Sequence, residues 1–221
     1  MNDHDVESEA DAQAGSASIP AGATAAIPER PFMPAAVVSW LEARLRETQC
    51  FLEYGAGGST RLAASLGVPR IISVESDRAF ALAVKRAVAH SGSASILNLV
   101  HADIGPTKEW GYPADFRTLR RWPNYALGAW DYLRQKDMSP DLVLIDGRFR
   151  LGCFLISLLE ARPGTVIAFD DYVPRREFYG AVERFVRPSE VIDRCAIFHV
   201  PKSLPERAVA RALARYVSLP D

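Results

Sequence analysis

Short apolar runs alternate with helical patterns along most of the chain. Five runs of four to six residues are rich in Val, Ile and Leu, at 50–54, 70–75, 96–101, 142–145 and 165–169. Because these runs are largely apolar rather than alternating, they predict parallel strands that are buried on both faces. A sixth strand or a strand pair is expected within 191–200.

Helical spacing of the apolar residues fills the intervals between these runs. The predicted helices span 34–48, 59–66, 77–90, 149–160, 175–186 and 205–216. Strands that alternate with helices predict an α/β fold, a doubly wound and mostly parallel Rossmann-like sheet with helices on both faces. In such a sheet, ligands bind beyond the carboxyl ends of the strands, so the residues that follow each strand are the candidate functional residues.

Charge and composition divide the chain at residue 30. Residues 1–30 contain six acidic residues and one arginine, are rich in alanine and lack aromatic residues. This composition predicts a disordered acidic tail, followed by a single domain over 31–221. The whole chain of 221 residues has 26 basic and 27 acidic residues, a net charge of -1. Such a balance argues against a nucleic-acid partner.

The remaining composition narrows the class of protein. Three widely spaced cysteines predict neither a disulfide framework nor a zinc site and are typical of a reducing compartment. The apolar runs are too short to span a membrane. We therefore expect a cytoplasmic protein without a membrane partner.

A glycine-rich loop follows the first predicted strand. It contains Gly55 and Gly57, is preceded by Glu53 and is followed by Ser59 and Thr60. Glycines let the backbone approach a ligand closely, and the next helix offers free N–H groups. Thr60 stands where a dinucleotide fingerprint has its third glycine. Glu53 would repel a pyrophosphate but attract a cationic amino acid.

Two further acids follow the next two strands. Glu75 ends the second strand, where a carboxylate accepts hydrogen bonds from ribose hydroxyls. Asp103 lies just beyond the third strand, where an acceptor would meet an adenine amino group. Each acid taken alone reads equally well as a helix cap or a surface residue. Three acids at consecutive strand ends favour a nucleoside site.

Residues 50–171 resemble the class I S-adenosylmethionine-dependent methyltransferases. EYGAGGST followed by SVESD is similar to a variant of the first two motifs of that family, although the spacing within Gly58-Ser59-Thr60 differs from that of many relatives. The resemblance implies that S-adenosylmethionine is the cofactor. The cofactor-binding residues that it implies are Glu53, Gly55, Gly57 and Ser59 for the methionine part, Glu75 for the ribose, Asp103 for the adenine, and Asp146 beside the methyl donor.

The later strand ends suggest catalytic and metal-binding residues. Asp146 follows the fourth strand, and Asp170 and Asp171 follow the fifth. Three carboxylates suit Mg²⁺, and the arrangement is similar to catechol O-methyltransferase, in which an Asp-Asn pair takes the second position. The alternative is that these acids cap helices or contact the cofactor. Asp146 and His101 are the candidate catalytic residues, and a structural role for His101 is equally compatible with its position.

The acceptor site is expected beside a long segment after the third strand. Residues 104–135 contain three of the four tryptophans and predict a lid over the substrate. Seven arginines follow strands three, four and five, and they favour an anionic small molecule or acidic glycan as acceptor. The candidate acceptor-binding residues are Arg148, Trp110, Tyr112 and Tyr172.

The sequence therefore predicts methyl transfer from S-adenosylmethionine to a small acceptor, as O- or N-methylation. Two other functions use the same fold. One is an NAD(P)-dependent oxidoreductase, and the other is a non-catalytic module that binds S-adenosylmethionine. The oxidoreductase interpretation gives Glu53 no role, whereas the non-catalytic module would keep the same cofactor pocket and differ only in turning over no acceptor.

Overall fold

The strands predicted from the apolar runs form the centre of one sheet. The computed structural model describes residues 26–221. Among them the strands are β1 (Cys50–Tyr54), β2 (Arg70–Glu75), β3 (Ile96–His101), β4 (Leu142–Ile145), β5 (Val166–Phe169), β6 (Glu190–Ile192) and β7 (Cys195–His199). The predicted sixth strand is thus the pair β6 and β7.

The sheet order is β3-β2-β1-β4-β5-β7-β6. The first five strands are parallel, and β7 pairs antiparallel with both β5 and β6. The connections leave β1 in one direction toward β2 and β3, and in the other toward β4 and β5. The carboxyl ends of β1 and β4 therefore flank the point at which the strand order reverses, where open α/β sheets bind their ligands.

Within the described residues there are seven α-helices, of which the first precedes β1 and the others connect or follow the strands. They are α1 (Ala35–Leu45), α2 (Gly58–Ser65), α3 (Arg78–His90), α4 (Pro123–Gln135), α5 (Arg150–Glu160), α6 (Arg176–Tyr179) and α7 (Glu206–Tyr216). Their positions confirm the predicted doubly wound fold, and alternate strand residues contribute to two apolar layers. Leu52 and Val143 face α4, α5 and α7, whereas Phe51 and Leu142 face α1 and α2.

Two predicted elements differ from the structure. The helix expected over 175–186 is broken into α6 and flanking 3₁₀ turns, because Pro174 and Gly180 interrupt the helical pattern. The predicted lid over 104–135 includes α4, which buries Tyr125 and Trp130 against the sheet. Residues of a packed helix cannot open as a lid. The prediction of a lid therefore stays only for residues 104–122.

The predicted tail falls mostly on residues 1–25, which lie outside the described residues. Residue 30 is too late as its boundary, because Ile27 is already buried. Arg61 Nη1 donates to the carbonyl oxygen of Ile27, and Arg30 pairs with Glu42 at 2.7 Å. No helix within 26–221 has the length and apolar character that crossing a membrane requires.

Residues 27–33 form a strap, which we call the N-terminal strap, across the start of α2. A Cβ added to Gly58 would collide with the carbonyl of Arg30 and lie 2.7 Å from the nitrogen of Pro31. Only glycine leaves room for the strap at this point.

We predict that Gly58→Ala destabilises the protein, by about 1–3 kcal/mol for such overpacking. The added methyl group must displace the strap, because its nearest neighbours are backbone atoms that cannot rotate away. Urea denaturation of the variant and the wild type measures the difference. Gly57→Ala is the matched control for stability, since a Cβ there has open space. Equal unfolding midpoints for Gly58→Ala and wild type would contradict the steric argument.

Candidate functional site

Two glycines face each other in the crevice between the carboxyl ends of β1 and β4. Gly55 has a φ of +97°, and a Cβ on it would lie 3.0 Å from the Cα of Gly147. A Cβ on Gly147 would in turn collide with the hydroxyl of Tyr125. Gly57 differs, because no atom of the residues that the structure describes lies within 4 Å of its Cβ position. The loop is thus tightly packed at one end and leaves bare backbone open to a ligand at the other.

Glu53 lies beneath this loop and has no exposed surface. The hydroxyls of Ser59 and Thr60 each donate to one oxygen of its carboxylate. Thr60 Oγ1 also accepts from the backbone N–H of Gly57 at 2.9 Å. Since both carboxylate oxygens face hydroxyl groups, Glu53 orders the loop from below. This arrangement differs from the direct contact with a cationic amino acid that the sequence predicted.

Glu75 lies at the end of β2, on the edge of the crevice. Its Oε1 accepts from the backbone N–H groups of Ser76 and Asp77, at 2.7 and 2.8 Å. Burial raises the pKa of Glu75, and these two backbone bonds oppose the shift. Asp77 caps α3 through bonds to two backbone N–H groups. The helix-cap alternative therefore applies to Asp77, while Glu75 keeps the position predicted for a ribose acceptor.

His101 and Asp103 lie at the end of β3, and both are exposed. His101 Nε2 lies 3.2 Å from the carbonyl oxygen of Ser76. A carbonyl only accepts, so the ring donates from Nε2, and in the neutral tautomer that does so Nδ1 is an acceptor. Asp103 accepts from the N–H of Gly105 and pairs with Arg121 at 3.2 Å. Both side chains are accessible, and their roles as base and adenine acceptor remain predictions.

The carboxylates of Asp146, Asp170 and Asp171 come together at the ends of β4 and β5, as the sequence predicts. Arg150 lies 3.4 Å from Asp146 and 3.3 Å from Asp171. Arg194 donates to both oxygens of Asp170, at 3.0 and 2.7 Å, and lies 3.2 Å from Asp171. Two guanidinium groups thus lie among the three carboxylates.

The pKa of Asp146 is raised to about 8. Burial is the main cause, Arg150 opposes it, and the carboxylates of Asp170 and Asp171 add to it. Three carboxylates and two guanidinium groups carry one net negative charge when all are ionised. A proton retained near Asp146 at neutral pH would cancel that charge, which keeps a largely buried cluster close to neutral.

Arg148 is buried beside the crevice. Its guanidinium carbon lies 4.4 Å from the centre of the Tyr112 ring, and its Nη1 donates to the backbone oxygen of Asp221 at 2.8 Å. The Nε of Arg148 is buried and has no partner among the described residues. The carboxylate of Asp221 accepts from the backbone N–H groups of Arg150 and Leu151, at the start of α5. Arg148 and Tyr112, which are both predicted to bind the methyl acceptor, are thus in contact with each other.

Trp110 and Tyr172 have opposite environments. Trp110 is 62% exposed, and its φ of 60° belongs to a tight turn in the segment after β3. Tyr172 is only 1% exposed, and its hydroxyl donates to Glu183 at 2.8 Å. Trp110 is therefore accessible to an acceptor. Tyr172 packs in the core instead, so the structure does not support its predicted contact with the acceptor.

Comparison with known proteins gives one relative that decides the family. A methyltransferase-like protein from Silicibacter pomeroyi is 38% identical, with 86% of this chain and 98% of that chain covered and a TM-score of 0.77. The chain belongs to the class I S-adenosylmethionine-dependent methyltransferases.

A second solved structure agrees in fold. It is an O-methyltransferase from Bacillus cereus in complex with SAH, which is 18% identical and has a TM-score of 0.55. The match covers 80% of this chain and 84% of that chain. No family model matches the sequence, and no curated protein matches it. The family assignment therefore depends on the relative with 38% identity, and it confirms the resemblance carried by the glycine loop and Glu75.

The predicted magnesium site does not fit the arrangement in this methyltransferase. Within residues 26–221, no group of three or more His, Cys, Asp or Glu side chains is placed to hold a metal ion. The physical reason lies in Arg150 and Arg194, because their N–H groups already occupy carboxylate oxygens that a cation would need. We derive no catalytic step through a metal.

Arg194 is the residue of this site that the sequence analysis missed. It lies in the turn between β6 and β7, about 23 residues after Asp170 and Asp171, and no motif surrounds it. Only the antiparallel return of β7 along β5 brings the turn to the carboxylates. The strand pair expected within 191–200 implies a turn between its two strands. The sequence does not indicate which strand of the sheet this pair joins, and therefore not which residues the turn contacts.

We predict that Glu53→Gln stabilises the protein at alkaline pH but not at acidic pH. Burial raises the pKa of Glu53 from 4.5 to about 7, despite the opposing bonds from Ser59 and Thr60. Below pH 4.5 the carboxyl is protonated in both the folded and the unfolded state. Between pH 4.5 and 7 only the folded state keeps the proton, so wild-type stability falls as pH rises, by about 3 kcal/mol in total.

Urea denaturation between pH 4 and 8 measures this difference. The free energy of unfolding of Glu53→Gln relative to wild type should increase with pH up to about 7 and then level off. Glu183→Gln is a control of opposite sign, because bonds from Arg176 and Tyr172 lower the pKa of Glu183. A pH-independent difference for Glu53→Gln would show that folding does not shift the pKa of Glu53.

Proposed function

We propose that this protein transfers the methyl group of S-adenosylmethionine to an oxygen or nitrogen atom of a small-molecule acceptor. The observation that carries the proposal is membership of the methyltransferase family at 38% identity over nearly the whole relative. The glycine loop at the reversal of strand order supports it, because this is where the fold binds ligands. The near-balanced net charge of -1 favours a small acceptor over a nucleic acid.

The residues of the crevice fit this cofactor. The open Cβ position of Gly57 leaves a backbone surface that any larger residue would fill. Glu75 offers a carboxylate at the edge of the crevice for the ribose hydroxyls, and Asp103 an exposed acceptor for the adenine amine. Glu53, with Ser59 and Thr60, keeps the loop in its shape. When bound, S-adenosylmethionine would supply a methyl group on a positively charged sulfur, and that sulfur would leave as the neutral thioether S-adenosylhomocysteine when a lone pair of the acceptor takes the methyl carbon.

The chain has two candidate groups for the proton that the acceptor releases. Asp146 follows β4 directly and lies next to the Gly55–Gly147 contact. It accepts a proton only in its ionised form, and because its pKa is raised to about 8, that form increases toward alkaline pH. His101 keeps Nδ1 available as an acceptor at the end of β3. Ordering of the loop and the strand ends would hold both reactants in place, and proximity alone accounts for a large part of such a rate enhancement.

The two alternative functions predict different binding. The family assignment does not favour an NAD(P)-dependent oxidoreductase, and such an enzyme would bind NAD⁺ in the crevice. A non-catalytic module would bind S-adenosylhomocysteine but turn over no acceptor. Calorimetric titration with S-adenosylhomocysteine and with NAD⁺, followed by an acceptor screen, separates all three functions.

We predict that Glu75→Ala weakens binding of S-adenosylhomocysteine by at least about tenfold. The variant loses charge-assisted hydrogen bonds to the ribose, each worth about 1.5–3 kcal/mol. Isothermal titration calorimetry measures the affinity, and thermal unfolding checks that the variant is folded. Glu75→Gln should bind with intermediate affinity, because it keeps an acceptor without the charge.

Glu47→Ala is the matched surface control and should bind like wild type, since Glu47 is exposed after α1. An unchanged affinity in a folded Glu75→Ala variant would refute the ribose assignment. Tight binding of NAD⁺ would favour the oxidoreductase instead.

We infer further that the acceptor is anionic. Arg117 and Arg120 are exposed on the segment after β3, and the buried Nε of Arg148 has no hydrogen-bond partner within residues 26–221. The other four are already engaged: Arg121 by Asp103, Arg175 by Tyr179, Arg176 by Glu183, and Arg150 by Asp146 and Asp171. The support therefore comes from three arginines rather than from all seven that the sequence indicated.

We predict that anionic hydroxylated acceptors are methylated faster than neutral ones of similar size. The preference should fall with added salt and in an Arg117→Met/Arg120→Met variant, because both changes weaken attraction to the acceptor. Turnover is measured as S-adenosylhomocysteine release. Arg86→Met, on the exposed face of α3, is the control. Equal turnover of both acceptor classes, unmoved by salt and by the double substitution, would contradict an anionic acceptor.

A further inference from the structure

The carboxylate cluster at the ends of β4 and β5 is held by two arginines from separate parts of the chain. Arg150 comes from the first turn of α5 and its side chain is only 3% exposed. Arg194 comes from the turn between β6 and β7 and grips both oxygens of Asp170 as a fork. Together they reach Asp146, Asp170 and Asp171.

Both arginines are bound by more than the carboxylates. Arg150 Nε donates to the carbonyl of Gly147 at 2.9 Å, and its Nη1 donates to the carbonyl of Asp170 at 2.7 Å. A buried guanidinium that satisfies its N–H groups in this way does not leave without exposing unpaired carbonyls. Arg194 Nη2 donates at 2.9 Å to the carbonyl of Phe32, in the N-terminal strap.

A divalent cation would compete poorly for this place. Asp170 is fully buried, and both of its oxygens are already bonded to Arg194. Mg²⁺ demands near-octahedral oxygen coordination, and here it would lie beside two fixed positive charges. The same three carboxylates that make a metal site plausible from sequence are thus already paired with two guanidinium groups of the protein itself.

We propose that Arg150 and Arg194 take the place of a divalent cation between the three carboxylates. They act as positioning residues, because they hold the ends of β4 and β5 and the N-terminal strap around the crevice. Asp146 is thereby kept next to the glycine loop without a metal ion. The catalytic consequence, turnover without added metal, rests on the proposed methyltransferase function, whereas the exclusion of metal does not.

Removing the arginines should therefore create a metal site. Mn²⁺ is the probe, titrated into the metal-free full-length protein and followed by calorimetry and electron paramagnetic resonance. We expect no saturable binding at this cluster in the wild type. Arg194→Met and Arg150→Met/Arg194→Met should bind Mn²⁺ at least about tenfold more tightly than wild type, because positive charge leaves while the carboxylates remain. Further substitution with Asp171→Asn should weaken this new binding.

The controls separate charge from general damage. Arg194→Lys should still exclude Mn²⁺, since it keeps a cation beside Asp170. Arg176→Met removes an arginine that pairs with Glu183 away from the cluster, and it should behave like wild type. Thermal unfolding identifies variants that fail to fold. The single variant Arg194→Met keeps the test valid if the double variant fails, because the Arg194 side chain is less buried than that of Arg150.

Two results would overturn the proposal. One is stoichiometric Mn²⁺ binding by the wild type that Asp170→Asn abolishes. The other is a folded Arg194→Met variant that binds Mn²⁺ no better than wild type. Once an acceptor is found, wild-type turnover should also be unchanged by EDTA. Failure to bind S-adenosylhomocysteine would count against the proposed function alone, because the Mn²⁺ titration does not depend on it.

Discussion

The candidate crevice depends on the parallel pairing of β1 with β4. The register places Tyr54 opposite Ile145, so the loops that follow both strands start at the same height. The backbones of Gly55 and Gly147 are then in direct contact, and no room is left for a side chain at either position. Every other candidate group is placed relative to this contact. Glu53 supports its lower side, Glu75 lies on the neighbouring strand, and Asp146 immediately precedes Gly147.

Buried carboxylates near this contact are stabilised in two different ways. Glu53 receives only hydroxyl donors, and its pKa is raised to about 7, which is the response expected of a buried acid without a counter-charge. Asp170 is equally buried but has a guanidinium fork on its two oxygens. A charge paired in this way resists removal, because breaking the pair leaves an uncompensated buried ion. Glu53 therefore holds its loop through hydrogen bonds from hydroxyl groups, and Asp170 holds its loop through an ion pair with Arg194.

The N-terminal strap links these two regions. It crosses Gly58 at the start of α2, and the carbonyl of Phe32 receives a bond from Arg194. The ring of Phe32 is 90% exposed, although its backbone is bound in this way. A segment that precedes the first helix thus connects the glycine loop with the carboxylate cluster. The lid candidate at 104–122 follows β3, the strand at the opposite edge of the sheet from β6. It contacts the crevice where the ring of its Tyr112 packs against Arg148.

Local sequence determined the fold and the order of the strand ends. Apolar runs of four to six residues bury both faces only in a covered parallel sheet, so the class of fold and the positions of Glu75 and Asp146 followed from pattern alone. The sequence also contains helix breakers such as Gly180, and these divide the segment after β5 into short turns where the apolar pattern predicts one continuous helix. Long-range packing decided the rest. Tyr172 reads as an accessible residue after a strand, yet the surrounding aromatic rings bury it.

The carboxylate cluster shows the limit most clearly. Three acids at two strand ends have the composition of a metal site, and spacing along the chain contains no information about what lies between them. Arg194 enters from a turn whose position depends on β7 pairing with β5. Only the tertiary structure decided that guanidinium groups occupy the space, because the pairing of a distant strand sets which charge meets Asp170. The sequence by itself determined where the acids are, and the folded chain determined what neutralises them.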